Sequence, residues 1–207
     1  MKMSNIWFLS DTHFGSDSIN IKCNRPSNWE DLLSESIKCK VKPGDTLIHL
    51  GDVVGDGFNF KKNVLRDINC KRKVLVLGNH DKHFSDIHGI WYFDKIYQRG
   101  TNPFLIENFD DLGIKIAIRL SHEPLIFDEE IQKKVKDDEF ITTSIPVVLN
   151  IHGHLHNLAK IESVFPHFNV SVEEISYELI SLNEILEKKK NDIINYYNKL
   201  IDLGLIN

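Results

Sequence analysis

Five short apolar runs in this chain each end in polar residues able to hold a cation. IWFLS leads into Asp11-Thr12-His13, TLIHL into Gly51-Asp52, and KVLVL into Gly78-Asn79-His80-Asp81. IAIRLS leads into His122-Glu123-Pro124, and VVLNI into His152-Gly153-His154-Leu155-His156. Short apolar runs bounded by turn residues read as buried strands. Polar groups at strand ends add nothing to a core. In sheet-based α/β folds the loops at the carboxyl ends of strands converge, while the strands hold them rigid. A lone histidine at a strand end is usually a satisfied polar residue. Five such ends in series call for a sheet protein whose loops meet at one site.

The order of elements agrees. A strand is predicted at about residues 5–10 and a helix from about 28 to 41, opened by Ser27-x-x-Glu30, a capping-box pattern. Lys42-Pro43-Gly44-Asp45 is a turn, 46–50 a strand, 59–68 a helix and 73–77 a third strand. This β-α-β-α-β order implies parallel strands with right-handed crossovers. The pattern then changes. Residues 104–109 and 114–120 alternate with period two around Asp110-Asp111-Leu112-Gly113, a hairpin signal. Residues 146–151 form another apolar strand, and 167–172 add one more. Ser181 and Glu184 make a second capping box. It opens a helix with apolar positions at Leu182, Ile185, Leu186, Ile193, Tyr197, Leu200 and Ile201. The charged stretch 128–138 reads as a solvated helix or loop. With no repeat and no Pro/Gly/Ser linker, one domain over 1–207 is expected, with 181–203 as its C-terminal helix.

Composition narrows the function classes. Of 207 residues 42% are hydrophobic, enough for a substantial core. The formal charge of −5 argues against a coat for duplex nucleic acid, which needs a basic face. Cys23, Cys39 and Cys70 have no C-x-x-C spacing and read as buried free thiols in a reducing compartment. The N-terminal apolar run is too short for a signal peptide, and no stretch approaches the ~20 apolar residues of a membrane span. A cytoplasmic protein with no membrane partner is expected.

The donors at the strand ends are carboxylates, imidazoles and an amide, without thiolate. That set suits Mn, Fe, Co, Ni or Zn. It holds too many ligands for one tetrahedral ion, whereas two ions sharing a carboxylate would use them. Two divalent ions against two aspartates leave a site attractive to phosphate, and such pairs suit in-line displacement at phosphorus. Spacing alone leaves open how many of His152, His154 and His156 serve a metal, since alternate residues of a strand share a face.

The ordered motifs Asp11-x-His13, Gly51-Asp52, Gly78-Asn79-His80-Asp81, His122 and Gly153-His154-x-His156 resemble the calcineurin-like metallophosphoesterase family over about residues 6–172. SDTHFG with Arg25-Pro26 is similar to a compact bacterial and phage branch. The resemblance implies an α/β fold, a four-layer α/β/β/α sandwich of two mixed sheets. It implies one metal held by Asp11, His13, Asp52 and His156. A second would be held by Asp52, Asn79, His122 and His154, with Asp52 bridging. His152 would stand outside the ligand set. The nucleophile would be a metal-bridging hydroxide. His80 matches the catalytic histidine, which protonates the leaving oxygen or stabilises the transition state.

One departure matters. Many relatives carry an orienting aspartate three residues after the metal-binding one. Here the acid, Asp56, falls four residues after Asp52 and no Arg follows. Asp56, or else Asp81, is the candidate partner of His80. The missing Arg, and Asp81 where phosphoprotein phosphatases carry Glu, argue against that class. Asn79, His80 and Arg25 are the expected substrate contacts, because a guanidinium matches phosphate bidentately. His49 is expected in the core or behind the ligands, His83 and His88 at the surface, His167 and Arg119 in structural roles, and Trp91 to Phe93 in the core.

The function expected is hydrolysis of phosphate esters with two divalent ions, manganese favoured. A phosphodiesterase acting on a small or nucleotide-like substrate is preferred over a phosphomonoesterase, because the chain has no long insertion to build a cap. A non-catalytic scaffold of the same fold and a single-strand nuclease are remoter alternatives; the presence of His80 weighs against the scaffold.

Overall fold

The computed structural model describes residues 4–55, 65, 67–82, 92–101, 103–125 and 145–206. Most of the expected helix over 59–68 and the charged stretch 128–138 lie outside these residues, as do Asp56, His83, His88 and Trp91. In chain order the elements are β1 (Ile6–Leu9), α1 (Asp17–Lys22), α2 (Trp29–Lys40), β2 (Thr46–His49), β3 (Arg72–Val76) and β4 (Lys95–Tyr97). Then follow β5 (Phe104–Phe109), β6 (Ile114–Leu120), β7 (Val147–His152), β8 (His167–Asn169), β9 (Ile180–Ser181) and α3 (Leu182–Asp202).

They form two mixed sheets, ordered β4-β3-β2-β1-β9 and β5-β6-β7-β8. β1, β2, β3 and β4 run parallel, and β9 closes the first sheet antiparallel to β1. The predicted hairpin is β5–β6, antiparallel from Phe104↔Arg119 to Phe109↔Ile114, and β7 and β8 extend it in parallel. This is the α/β/β/α sandwich architecture the motifs imply. A single hydrophobic core draws on both sheets and on α2 and α3, with Phe8, Leu9, Leu75, Ile116, Ile118, Val148 and Leu149 almost wholly buried. Burial on both faces explains why IWFLS, TLIHL and KVLVL read as continuous apolar runs rather than alternating ones. The two sheets also touch through the chain just past β1 and β8, where Ser10 bridges Ser171.

The two capping boxes fare differently. Ser181 caps α3 as expected: its hydroxyl accepts from Glu184 N–H while the Glu184 carboxylate accepts from Ser181 N–H. At α2 the N-cap is Asn28, one residue after Ser27, with no side-chain cap bond. On α3 the buried face is Leu182, Ile185, Ile193, Tyr196 and Leu200. Tyr196 therefore takes the core position expected for Tyr197, and Ile201 is exposed. Helical spacing allows either tyrosine, since i+3 and i+4 share a face. The Phe165 ring, edge-on to Tyr196 at 5.2 Å, decides between them. Cys23 is buried, whereas Cys39 is exposed and Cys70 half-buried, so three buried thiols is corrected to one. β4 and β9, only three and two residues long, carry too little pattern to be read from sequence. Among the described residues no helix is long and apolar enough to cross a membrane.

Ser181→Ala should lower stability by about 0.5–2 kcal/mol in urea unfolding. Ser27→Ala should stay within about 0.5 kcal/mol of the parent.

Candidate metal centre

β1 and β2 pair in parallel up to Leu9↔His49, and their ladder continues into the loops. Leu50 N donates to Leu9 O, Asp11 N to Gly51 O and His13 N to Asp52 O, each at 2.9 Å. The Asp11-Thr12-His13 and Gly51-Asp52 loops are thus one zipped unit. Behind it lies His49, buried as expected. Thr12 Oγ1 donates to Val53 O at 2.8 Å, so its bond to His49 Nε2 at 3.0 Å is donated by the imidazole. The other nitrogen, Nδ1, accepts Gly51 N–H at 3.2 Å.

Left-handed backbone concentrates here. Asp11 (φ 57°), His13 (45°), Asp52 (56°), His154 (70°) and His156 (49°) all occupy it. Each such residue costs about 1–3 kcal/mol and persists only where its surroundings hold it. Two glycines complete the cradle by absence of a side chain. A Cβ on Gly78 would lie 2.2 Å from Asp52 Oδ1, and one on Gly153 2.3 Å from Asp11 Oδ2. The Gly-Asn-His and Gly-His-x-His loops can approach the aspartates only as glycine.

Two groups of donors result. Ligand-type atoms of Asp11, His13 and His156 lie within 4.8 Å of one another, as do those of Asp52, His122 and His154. Asn79 Oδ1 joins the second group, 3.0 Å from His122 Nε2 and 3.1 Å from His154 Nδ1. One oxygen links the groups: Asp52 Oδ2 is 3.4 Å from His13 Nε2 and 3.4 Å from His122 Nε2. His154 Nδ1 and His122 Nε2 are 3.2 Å apart, and His156 Nε2 is 3.7 Å from Asp11 Oδ1. Ligands about 2.0–2.1 Å from a common ion lie about 3.0–3.4 Å apart, so all of these separations except the 3.7 Å between His156 and Asp11 fit the edges of a coordination shell. Asp11 Oδ1 and His13 Nε2 are buried without a hydrogen-bond partner, a costly arrangement for a site meant to stay empty of cations. Divalent ions fit this donor set.

Charge says the same. Burial works against ionising Asp52, yet the hydrogen bond and charge of His122 hold its carboxyl well below the usual range. Burial likewise opposes protonation of His122, but bonding to Asp52 and the Asp11 charge carry it up to about 9. Burial pulls His13 down to about 4, leaving its nitrogen free to coordinate.

His80 sits at the mouth. Its N–H donates to Asp52 Oδ1 at 2.8 Å, and its exposed ring stands edge-on to His13 at 5.1 Å. Asp81, a candidate to orient His80, bolts two loops together. Its carboxylate accepts from Asp52 N at 2.6 Å, Val53 N at 2.8 Å and Gly78 N at 2.8 Å. Burial pushes this carboxyl up to about 6 despite those donors.

Arg25 requires a correction. Its side chain is fully buried, and its donors go to Thr12 O, Asp11 O and Glu173 at 2.8, 2.6 and 2.7 Å, so it braces the loop rather than facing substrate. His152 lies outside both donor groups. It is buried, donates from Nδ1 to Gly153 O at 2.9 Å and packs edge-on against His167 at 5.5 Å. Glu173 escaped the sequence reading. It follows the end of β8 with no motif around it, yet Oε1 lies 3.0 Å from His156 Nδ1. Cys23, His156 and Glu173 also lie within 4.8 Å, but the Arg25 guanidinium, 2.6 Å from Glu173, already supplies the cation there. Ser171, likewise unforeseen, donates to Asp11 Oδ2 at 3.0 Å.

Comparison with known proteins places this arrangement. An uncharacterized protein of Methanocaldococcus jannaschii is 30% identical over 97% of this chain and 100% of its own length. The gene 66 protein of Mycobacterium phage L5 is 28% identical over 75% of this chain and 79% of its own. The crystal structure of a protein of unknown function from Aquifex aeolicus superposes with a TM-score of 0.65 at 30% identity. The match covers 89% of this chain and 99% of that one. The model of the calcineurin-like phosphoesterases matches residues 4–197, and with that span the chain belongs to the calcineurin-like phosphoesterase family.

Proposed function

We propose that the protein hydrolyses phosphate esters, with a preference for diesters of small or nucleotide-like substrates, using two divalent ions of which manganese is favoured. The observation that carries this reading is Asp52 Oδ2, set 3.4 Å from a histidine of each donor group. Asp11, His13, Asp52 and His156 would hold one ion. Asp52, Asn79, His122 and His154 would hold the other. When bound, the ions supply Lewis acidity toward phosphoryl oxygen and lower the pKa of water toward neutrality.

The chain's own groups do the rest. The Asp52 backbone and carboxylate are pinned by Asp81 and by the His80 N–H, so the ligand cannot swing with substrate. His80, exposed at the mouth beside His13, is placed to give a proton to the leaving oxygen or to hydrogen-bond an equatorial oxygen. Asn79 sets its side-chain oxygen against His122 and His154 of the second donor group. The preference for diesters rests on the absence of a long cap-forming insertion in 207 residues. The charge of −5 disfavours duplex substrates.

The test is metal-free protein reloaded with Mn, Ni, Fe or Zn and offered phosphate monoesters, linear diesters, cyclic nucleotides and dinucleotides. Metal-dependent cleavage, fastest on diesters, is expected. Faster turnover of monoesters would make it a phosphomonoesterase, and no cleavage above a His80→Ala baseline would overturn the enzyme reading. His80→Ala should lower kcat by about 10²–10⁴-fold with metal content retained. By elemental analysis, His154→Ala and His156→Ala should each lose metal while His152→Ala keeps it.

A further inference from the structure

The two donor groups are built differently at their second layer. His122 is oriented by a backbone carbonyl: Nδ1 donates to Leu50 O at 2.8 Å. His156 is oriented by a carboxylate, Glu173 Oε1, at 3.0 Å from Nδ1. A carboxylate paired with a guanidinium can only accept, so Nδ1 carries a proton toward Glu173 and Nε2 is the nitrogen turned toward Asp11, 3.7 Å from its Oδ1. Glu173 is itself fixed. Its side chain is 2% exposed, Arg25 Nε donates to it at 2.7 Å, and the guanidinium stacks 4.4 Å from the Trp29 ring. The same guanidinium reaches the carbonyls of Asp11 and Thr12. The short segment around Glu173 grips the group elsewhere too: Asn169 Nδ2 donates to His156 O at 2.9 Å, and Ser171 Oγ to Asp11 Oδ2 at 3.0 Å.

We propose that Glu173 is a positioning residue for the Asp11–His13–His156 group, fixing the ring and tautomer of His156, while Arg25 ties that carboxylate to the loop bearing Asp11 and His13. This rests on the metal-centre reading above. An ion pair kept only for stability would need Arg25 and Glu173 alone. Here one oxygen, Oε1, serves both the guanidinium and the imidazole. Partners of this kind behind a metal-binding histidine typically change metal affinity by about 10–100-fold when removed. The effect should be one-sided, because Glu173 does not serve His122 or His154.

The experiment is calorimetric titration of metal-free, full-length protein with Mn(II), parent against Glu173→Gln, alongside thermal unfolding of both without metal. Two sites are expected in the parent. In Glu173→Gln one should weaken by about 10–100-fold and the other change less than about twofold. Unchanged affinities, or equal weakening at both sites, would overturn the proposal. In the first case a lowered unfolding midpoint would leave Glu173 a structural ion pair. Nitrogen NMR of the metal-free parent gives a readout independent of the variant: His156 Nδ1 should carry a proton, and an Nδ1 without one would equally overturn the proposal. A parent that binds no divalent ion would overturn the metal-centre reading as well, whereas two intact sites in Glu173→Gln would remove only the role of Glu173.

Discussion

The parallel ladder between β1 and β2 does not stop where the strands do, and the candidate site depends on that continuation. Asp11 N and His13 N still donate to Gly51 O and Asp52 O after both strands have ended. Two loops that would otherwise wander are locked in register, with Asp11, His13 and Asp52 facing one space. The left-handed backbone at all three is the local cost of this arrangement. It is offset by what lies beneath: Phe8, Leu9 and Leu50, fully buried in the shared core. Stiffness in the sheet is thereby converted into accuracy in the loops.

Around this unit the other donors are drawn in by backbone and carboxylate bonds rather than by apolar packing. Asp81 clamps the Gly51-Asp52 loop to Gly78, His154 N donates to Asp11 Oδ2 at 2.8 Å, and Arg25 bolts the Asp11 loop to Glu173. The outcome is a crowd of acceptors with little positive charge. The upward shift of His122 beside Asp52 is the electrostatic sign of a place built for a cation. Family membership, the donor chemistry and this electrostatic imbalance point the same way.

Much of this was legible in the sequence because strand-end ligands break a rule that core residues obey. Polar residues directly after apolar runs mark Asp11, Asp52, Asn79, His122 and His154 without knowledge of any contact. Arg25 and Glu173 were not legible for the opposite reason. An arginine near a ligand loop is as compatible with bracing as with substrate contact, and only burial separates the two. Glu173 lies 148 residues from Arg25 and gains its role from the meeting of two sheets, which no local pattern encodes. Ser27 shows the limit of local motifs in the other direction. Its capping-box pattern is intact, yet the chain enters α2 one residue later, at Asn28.

The central claim is that one carboxylate, Asp52, is shared by two cation sites, and metal stoichiometry of Asp52→Asn tests it most directly. The amide keeps the size of the side chain and an oxygen for the His80 N–H, but removes the charge that both groups face. Parent protein saturated with Mn(II) and freed of excess should carry about two ions per chain. Asp52→Asn should carry less than about one, with the fold retained by circular dichroism. A variant that still holds two ions, or a parent that never holds more than one, would contradict the account.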